Sequence, residues 1–317
     1  MQILNAPSYK FEPISSLASL ARALGVSTEE LAAVRELAPT SYRRQEHSKR
    51  DGGIRATYSV SKHLKALQGR ILHRLLRHVV LPDYLLGSRP GKNYLDNVQM
   101  HCGATTLFGE DAEDFFPSIR RHHVLSIFQG LMHFSPEVAE CLTDLCVYED
   151  AVPQGARTSG DLANLVLWRR EPALVAEFAD RGLKYSRFVD DIYVSAQRAL
   201  ATDEKTWIVG QLHRLLALEG LRIKRKKHEL ADAGGAMRVH RVGINANRPS
   251  IPKCERAKLR AAVHEFERRS RTSLAAELPK ALSKLRGRLF RLKNMHPAEY
   301  AQLSSRVHAA TGSIESR

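Results

Sequence analysis

The segment Tyr185-Ser186-Arg187-Phe188-Val189-Asp190-Asp191-Ile192-Tyr193-Val194 sets two adjacent carboxylates between two apolar runs. Aromatic and β-branched residues on both sides read as strands. Asp-Asp between them reads as the tip of a hairpin. Side chains alternate along a strand, so Asp190 and Asp191 point the same way only if the turn redirects one of them. Taken alone, the pair is also what an ordinary surface turn uses.

A second acidic element gives the pair a partner. Thr105-Thr106-Leu107-Phe108-Gly109-Glu110-Asp111 reads as a strand ending in carboxylates, followed by Ala112-Glu113-Asp114-Phe115-Phe116-Pro117-Ser118-Ile119. A strand-end Asp beside a hairpin-tip Asp is how a protein holds two divalent ions about 3.5–4 Å apart. Magnesium takes oxygen ligands, keeps several waters, and binds through one or two carboxylates plus substrate phosphates. One such ion lowers the pKa of an attacking hydroxyl, and the other neutralises a leaving pyrophosphate.

Charge names the class of partner. The 317 residues carry 49 Lys and Arg against 34 Asp and Glu, a formal +15. That surplus predicts a polyanion, most often nucleic acid. It is uneven: from Pro252 to Arg317 there are 15 Lys and Arg against six Glu and no Asp. With 43% hydrophobic residues the chain buries a real core and is not a disordered polycation. No apolar run approaches the roughly 18 residues of a membrane span, and Met1-Gln2-Ile3-Leu4 lacks a secretory pattern. Cys102, Cys141, Cys146 and Cys254 form no CxxC pair, so neither a zinc site nor a disulfide framework is expected. A cytoplasmic protein is the default.

Residues 14–24 place Leu17, Leu20, Ala21 and Leu24 at helical spacing and stop at Gly25. A second helix starts at Ser27, with Glu30 at capping-box spacing. Two helices joined by Gly-Val-Ser resemble a DNA-binding helix-turn-helix. Helical pairs around a Gly turn are more often plain packing units, and the second helix starts acidic, with Glu29 and Glu30. Residues 47–55 read as a tight Asp-Gly turn between strands. A long helix is expected from about Lys62 to Val80, with Leu64, Leu67, Ile71, Leu75 and Val79 as its stripe. Its charges, among them Arg70 and Arg74, read mostly as a solvated face. After Pro252 a helical lobe is expected, with Leu274, Leu278, Leu282 and Leu285 as its core.

Four segments, in order, resemble the motifs of reverse transcriptases. They are Asp111-x-x-x-Phe115-Phe116-Pro117-Ser118-Ile119; Val152-Pro153-Gln154-Gly155-Ala156; Phe188-Val189-Asp190-Asp191; and Gly220-Leu221 with Lys227 six residues on. The likeness runs from about Gly52 to Leu259. It is nearest to bacterial retron enzymes, because Leu64-Lys65-Ala66-Leu67-Gln68 resembles their fingers helix and Asn97-Val98-Gln99-Met100-His101 their N-A-x-x-H element. The resemblance implies that Asp111 and Asp190 hold two Mg2+ ions (Mn2+ a possible substitute), with Asp191 in support. It implies that Arg55, Phe116, Gln154, Gly155 and Lys227 meet the nucleotide, Phe116 by blocking its 2′-hydroxyl. Asn97, His101, Arg157, Arg241 and Gly243 are the expected RNA or template contacts.

Some positions depart from the family pattern. Arg157 and Gly160 stand where prolines are common, Phe188 replaces Tyr, and Val189 replaces the frequent Ala. Arg241-Val242-Gly243 takes the place of Val-Thr-Gly. The implied fold is α+β, a right-hand polymerase: an N-terminal helical segment over 1–39, interleaved fingers and palm over 40–250, the palm an antiparallel sheet, and a basic helical thumb over 251–317. The implied reaction adds dNMP from dNTPs to a primer hydroxyl on RNA. A structured noncoding RNA then serves as template and primer, priming from a 2′-hydroxyl and yielding branched msDNA in antiphage defence, with an accessory effector or toxin protein. A reverse transcriptase without self-priming, and a DNA-binding regulator on an inactive polymerase body, are the alternatives.

Overall fold

A computed structural model describes residues 5–48, 52–224, 228–232, 234–272 and 278–315. A short strand β1 (Ser8–Tyr9) leads into helices α1 (Leu17–Leu24) and α2 (Thr28–Leu37). Ser16 and Ser27 cap the two helices by accepting from the backbone N–H of Ser19 and Glu30, and Gly25 closes α1 in the left-handed region at φ 67°. Leu20, Ala21, Leu24 and Leu31 are buried in the main core, and the pair packs on elements further along the chain, so it serves as a packing unit.

Strands β2 (Tyr42–Ser48) and β3 (Ile54–Val60) form an antiparallel hairpin, with Tyr42 opposite Val60 and Ser48 opposite Ile54. The register ends with Ser48 opposite Ile54, one residue out of step with a two-residue turn at Asp51-Gly52. Asp51 itself lies outside the described residues.

Helix α3 is Lys62–Arg74 and stops short of the expected Val80. The backbone leaves the helix at Leu75 (φ −124°, ψ −67°), and β-branched Val79-Val80 becomes β4, paired with β1. The five stripe residues are nevertheless all buried. Two of its basic residues are also not simply solvated. Arg70 and Arg74 donate to the last carbonyls of α1, at Leu24 (3.3 Å) and Ala23 (3.1 Å), groups that a helix end leaves without partners.

Next come α4 (Tyr94–Met100), β5 (Thr106–Asp111), α5 (Phe115–Ser118), α6 (Arg121–Ser126), α7 (Pro136–Cys146), α8 (Ser159–Leu165) and α9 (Glu171–Asp180). Strands β6 (Leu183–Phe188) and β7 (Asp191–Ala196) follow, then α10 (Thr202–Ala217) and β8 (Glu229–Asp232). β5 to β8 form a four-stranded antiparallel sheet of order β6-β7-β5-β8. The sheet is covered on both faces, and alternation along its strands divides two cores. Phe108, Ile192 and Val194 enter the larger cluster with the preceding helices. Leu107 and Tyr193 enter a second cluster.

A small hairpin, β9 (Arg238–Val239) and β10 (Val242–Gly243), leads to helices α11 (Lys253–Thr272), α12 (Leu278–Lys293) and α13 (Pro297–Glu315). These helices supply most of the second cluster, including Leu278, Leu285, Leu289 and Leu303, with Leu282 packed against it. Leu274 lies outside the described residues. All four cysteines are free. Among the described residues no helix is long and apolar enough to cross a membrane.

Candidate active site

The β6–β7 hairpin turns at Val189-Asp190, so Asp191 is the first residue of β7 and faces Asp111, the last residue of β5, across the ladder. Opposite residues of an antiparallel pair share a face with Cβ atoms roughly 5 Å apart. The Ala112 N–H donates to the Asp190 carbonyl at 3.0 Å, which ties the end of β5 to the turn. Val189 takes the left-handed conformation that closes this two-residue turn. Its φ is 61°, a strained value for a β-branched residue.

Two features hold that conformation. A Cβ on Gly87 would lie 2.6 Å from both the backbone nitrogen and Cγ2 of Val189, so only glycine leaves room for the turn. Arg187, buried on β6, donates to the Val189 carbonyl at 3.2 Å. The same guanidinium pairs with Glu171 through two bonds of 2.6 and 2.9 Å and donates to the carbonyls of Ala163 and Asn164. Glu171 also accepts from the Tyr185 hydroxyl at 2.6 Å.

In front of the carboxylates lies a cleft of about 1100 Å³. Its lining includes Asp111 and Asp190, Phe116 on α5, Arg55 on β3, Gln154 and Arg241. The six come from five segments far apart in sequence, Asp111 and Phe116 sharing one. Asp114 takes φ 40° just ahead of α5. Phe115 is buried behind the partly buried Phe116, their rings edge to face at 6.2 Å. The Gln154 segment is tied to β3, because the Tyr58 N–H donates to the Gln154 carbonyl at 2.8 Å. A Cβ on Gly155, whose φ is 114°, would come within 2.9 Å of the Tyr58 carbonyl.

The other expected contacts lie elsewhere. Lys227 lies outside the described residues. Lys224, three positions earlier in the same basic run, lines the cleft, and its N–H donates to the Asp111 carbonyl at 2.8 Å. Arg157 is exposed beside a separate pocket of about 470 Å³ with Arg77, Arg89, Lys92, Gly160 and Asp161. Burial raises the Asp161 carboxyl to about 6, partly offset by Arg77 3.1 Å away. Gly243 pairs its backbone with Ser250 in both directions, at 2.7 and 3.0 Å, and a Cβ there would lie 3.2 Å from the Ser250 carbonyl. The glycine permits a close chain approach.

Asn97 and His101 are a correction. Both are fully buried and bonded to Ser186, Ser195 and His240. They have no surface for RNA. A third cavity, of about 940 Å³ among α1, α2 and α7, contains none of the expected residues.

The cleft also recruits side chains that no motif indicated: Arg44, His47, Tyr58, Arg120 and Tyr148. One of them, His47, lies opposite Arg55 in the β2–β3 register, a pairing that the expected Asp51-Gly52 turn does not give. Among the described residues no group of three or more His, Cys, Asp or Glu side chains forms a ready-made metal cage. The donors at the cleft are carboxylate oxygens. They suit a hard ion that keeps waters and completes its shell from phosphates.

The family described as "Reverse transcriptase (RNA-dependent DNA polymerase)" matches residues 47–251. The Retron Ec48 reverse transcriptase of Escherichia coli is 31% identical, over 94% of this chain and 76% of that protein. The Retron Se72 reverse transcriptase of Salmonella heidelberg (strain 579083-10) is 30% identical, over 82% and 70%. The Retron Ec86 reverse transcriptase of Escherichia coli is 28% identical, over 80% and 78%. A match through the whole run of elements from β3 to β10, with relatives of one kind across most of both chains, makes this chain a member of the reverse transcriptases, an RNA-directed DNA polymerase of the retron type.

Proposed function

We propose that the chain copies a structured noncoding RNA, its template and primer, into DNA by two-metal nucleotidyl transfer at the Asp111–Asp190–Asp191 cleft. The observation that carries this reading is the convergence of Asp111 and Asp190 with Arg55, Phe116 and Gln154 around one cavity. Two Mg2+ ions, or Mn2+ in their place, would be held by Asp111 and Asp190 with Asp191 in support. When bound, they supply activation of the attacking hydroxyl and neutralisation of the pyrophosphate. Reverse transcriptases depend on divalent metal in general, and the all-oxygen donor set favours magnesium.

The chain's own residues do the rest. The primer hydroxyl loses its proton to water and attacks the α-phosphorus in line. The new P–O bond forms as the bond from the α-phosphorus to the bridging oxygen breaks, and pyrophosphate leaves with that electron pair. Arg55, whose planar fork matches phosphate oxygens, grips the triphosphate, and Lys224 and Lys227 bring further positive charge. Phe116 closes the space beside the sugar and excludes a 2′-hydroxyl. Gln154 and Gly155, tied to β3, form the floor against the nucleotide and template base. Arg157 and Arg241 hold RNA phosphates.

On this reading the β5–β8 sheet is the palm, the β2–β3 hairpin and α3 are fingers, and α11–α13 are the thumb, with boundaries at 1–39, 40–250 and 251–317. Priming from the 2′-hydroxyl of an internal guanosine gives branched msDNA. Together with an accessory effector in the cytoplasm, this product serves antiphage defence. The relatives' retron type supports these steps.

Sequencing of nucleic acid co-purified with the protein tests the reading. An abundant branched RNA–DNA species is expected. Unbranched or heterogeneous RNA alone contradicts self-priming and favours a reverse transcriptase of another kind.

A further inference from the structure

The Asn97–His101 element is too buried to touch RNA, yet it is linked step by step to the catalytic hairpin. His101 Nδ1 lies 2.7 Å from Ser195 Oγ on β7, and its Nε2 lies 2.7 Å from Ser186 Oγ on β6. Ser186 Oγ bonds to Asn97 Oδ1. Asn97 Nδ2 lies 3.0 Å from His240 Nε2, and His240 Nδ1 lies 3.6 Å from Asp191 Oδ2.

With the Asn97 amide oriented so that Oδ1 meets Ser186 and Nδ2 meets His240, the donor inventory allows one proton order through this chain. Asn97 Nδ2 only donates, so His240 Nε2 accepts and the imidazole proton sits on Nδ1, facing the carboxylate. Asn97 Oδ1 only accepts, so Ser186 donates to it and must itself accept from His101 Nε2–H. His101 Nδ1 then accepts from Ser195. Turning the Asn97 amide over would put an imidazole lone pair against the Asp191 carboxylate, which electrostatics disfavours.

The backbone at His240 agrees. His240 and Arg241 are the two-residue turn between β9 and β10, at φ 49° and 64°. Such turns are normally Asn-Gly or a similar pair. Strain of this kind persists where a side chain must be delivered to a place. Here His240 is delivered between the rings of Phe188, at 4.7 Å, and Tyr193, at 5.3 Å.

We propose that Ser195, His101, Ser186, Asn97 and His240 form a one-directional hydrogen-bond chain that fixes the His240 proton on Nδ1, and that this N–H, 3.6 Å from Asp191 Oδ2 and so outside direct hydrogen-bond reach, orients the Asp191 carboxylate at the metal site by its dipole. His240 is thus a positioning residue, and the Asn97–His101 element is its support. This deepens the proposed function and rests on its placing Asp191 at the metal centre. Outer partners that orient carboxylate ligands commonly matter 10- to 100-fold in metal affinity.

Two measurements on the full chain test it. The imidazole 15N spectrum, with His240 and His101 assigned by His240→Asn and His101→Gln, is expected to show His240 protonated on Nδ1 and His101 on Nε2. His240 protonated on Nε2 overturns the proposal. The second compares His240→Gln, whose amide oxygen still accepts from Asn97 but which offers no donor to Asp191, with His240→Asn, which keeps that donor and tolerates positive φ. The readouts are Mn2+ binding to the protein alone and the Mg2+ concentration for half-maximal primer extension.

His240→Gln is expected to weaken both about tenfold, while His240→Asn stays near wild type. Equal behaviour of the two variants overturns the proposal, whether both are weakened or both are unchanged. Asp191→Asn distinguishes the failures: unchanged metal dependence there sinks the site assignment, while the proton order stands or falls on the spectrum.

Discussion

Phe116 and His101 show how differently single residues serve this site. Phe116 borders the cleft with Phe115 buried behind it, so trimming it opens space without breaching the core. Phe116→Ala is expected to raise ribonucleotide incorporation at least several-fold, measured as rNTP against dNTP extension on one RNA template. An unchanged ratio removes the gate assignment. His101 acts on stability. Burial holds its imidazole far below the usual range, at about 3, so the unfolded chain takes this proton more readily than the folded one. Its contribution is therefore fully present above the unfolded pKa near 6.5 and is lost as pH falls toward about 3, by up to ~1.4 kcal/mol per pH unit. Between pH 7.5 and 5.5 wild type is expected to lose about 1 kcal/mol more unfolding free energy in urea than His101→Gln. Equal losses contradict this. The Phe116 position is legible because its motif is local. The burial of Asn97 and His101 is not, because four-residue spacing puts them on one face of α4 without saying which face meets the sheet.

At the scale of elements, the β6–β7 hairpin is held less by its own strands than by what lies beneath it. Arg187 and Glu171 are each about 1% exposed and share two hydrogen bonds, and the arginine reaches on to the Val189 carbonyl. Removing one partner of such a pair strands a buried charge, at a cost of roughly 3–5 kcal/mol. Glu171→Gln is expected to destabilise the protein by that amount in urea unfolding. A loss below about 1 kcal/mol would show that the pair does not anchor the hairpin. The sequence shows the hairpin itself, because alternation and turn chemistry are local signals. It does not show the anchor, since Glu171 lies on a helix sixteen residues upstream of Arg187. The end of α3 was likewise hidden. Its apolar stripe runs unbroken to Val79, and only pairing with β1, more than sixty residues upstream, turns Val79-Val80 into a strand.

For the molecule as a whole, charge distribution is the readable feature. The sheet edge that gathers Asp111, Asp190 and Asp191 sits in a chain of +15, and the last 66 residues hold 15 of the 49 cations. On α12, Lys284, Arg286 and Arg288 are exposed. Phosphate contacts release counterions, so log K falls with log salt by about 0.9 per contact on duplex. Replacing Lys284 and Arg288 by Gln is expected to weaken RNA–DNA hybrid binding uniformly across sequences and to flatten that slope by about 2. An unchanged slope places the duplex elsewhere. The lobe was visible as a basic stretch of helical period. That its apolar face joins Leu107 and Tyr193 from the far face of the sheet depends on long-range packing that no local pattern encodes.

On the proposed reading the carboxylates brought together at the tip of the β6–β7 hairpin and the end of β5 perform RNA-directed DNA synthesis, while other side chains, inside the cleft and beyond it, bind the RNA. Asp190→Asn changes one charge and almost no volume. In primer extension on an RNA template with Mg2+ and dNTPs, with RNA affinity measured on the same preparations, the variant is expected to synthesise no detectable DNA and to bind RNA within about twofold of wild type. Synthesis by Asp190→Asn at a rate comparable to wild type would contradict the account.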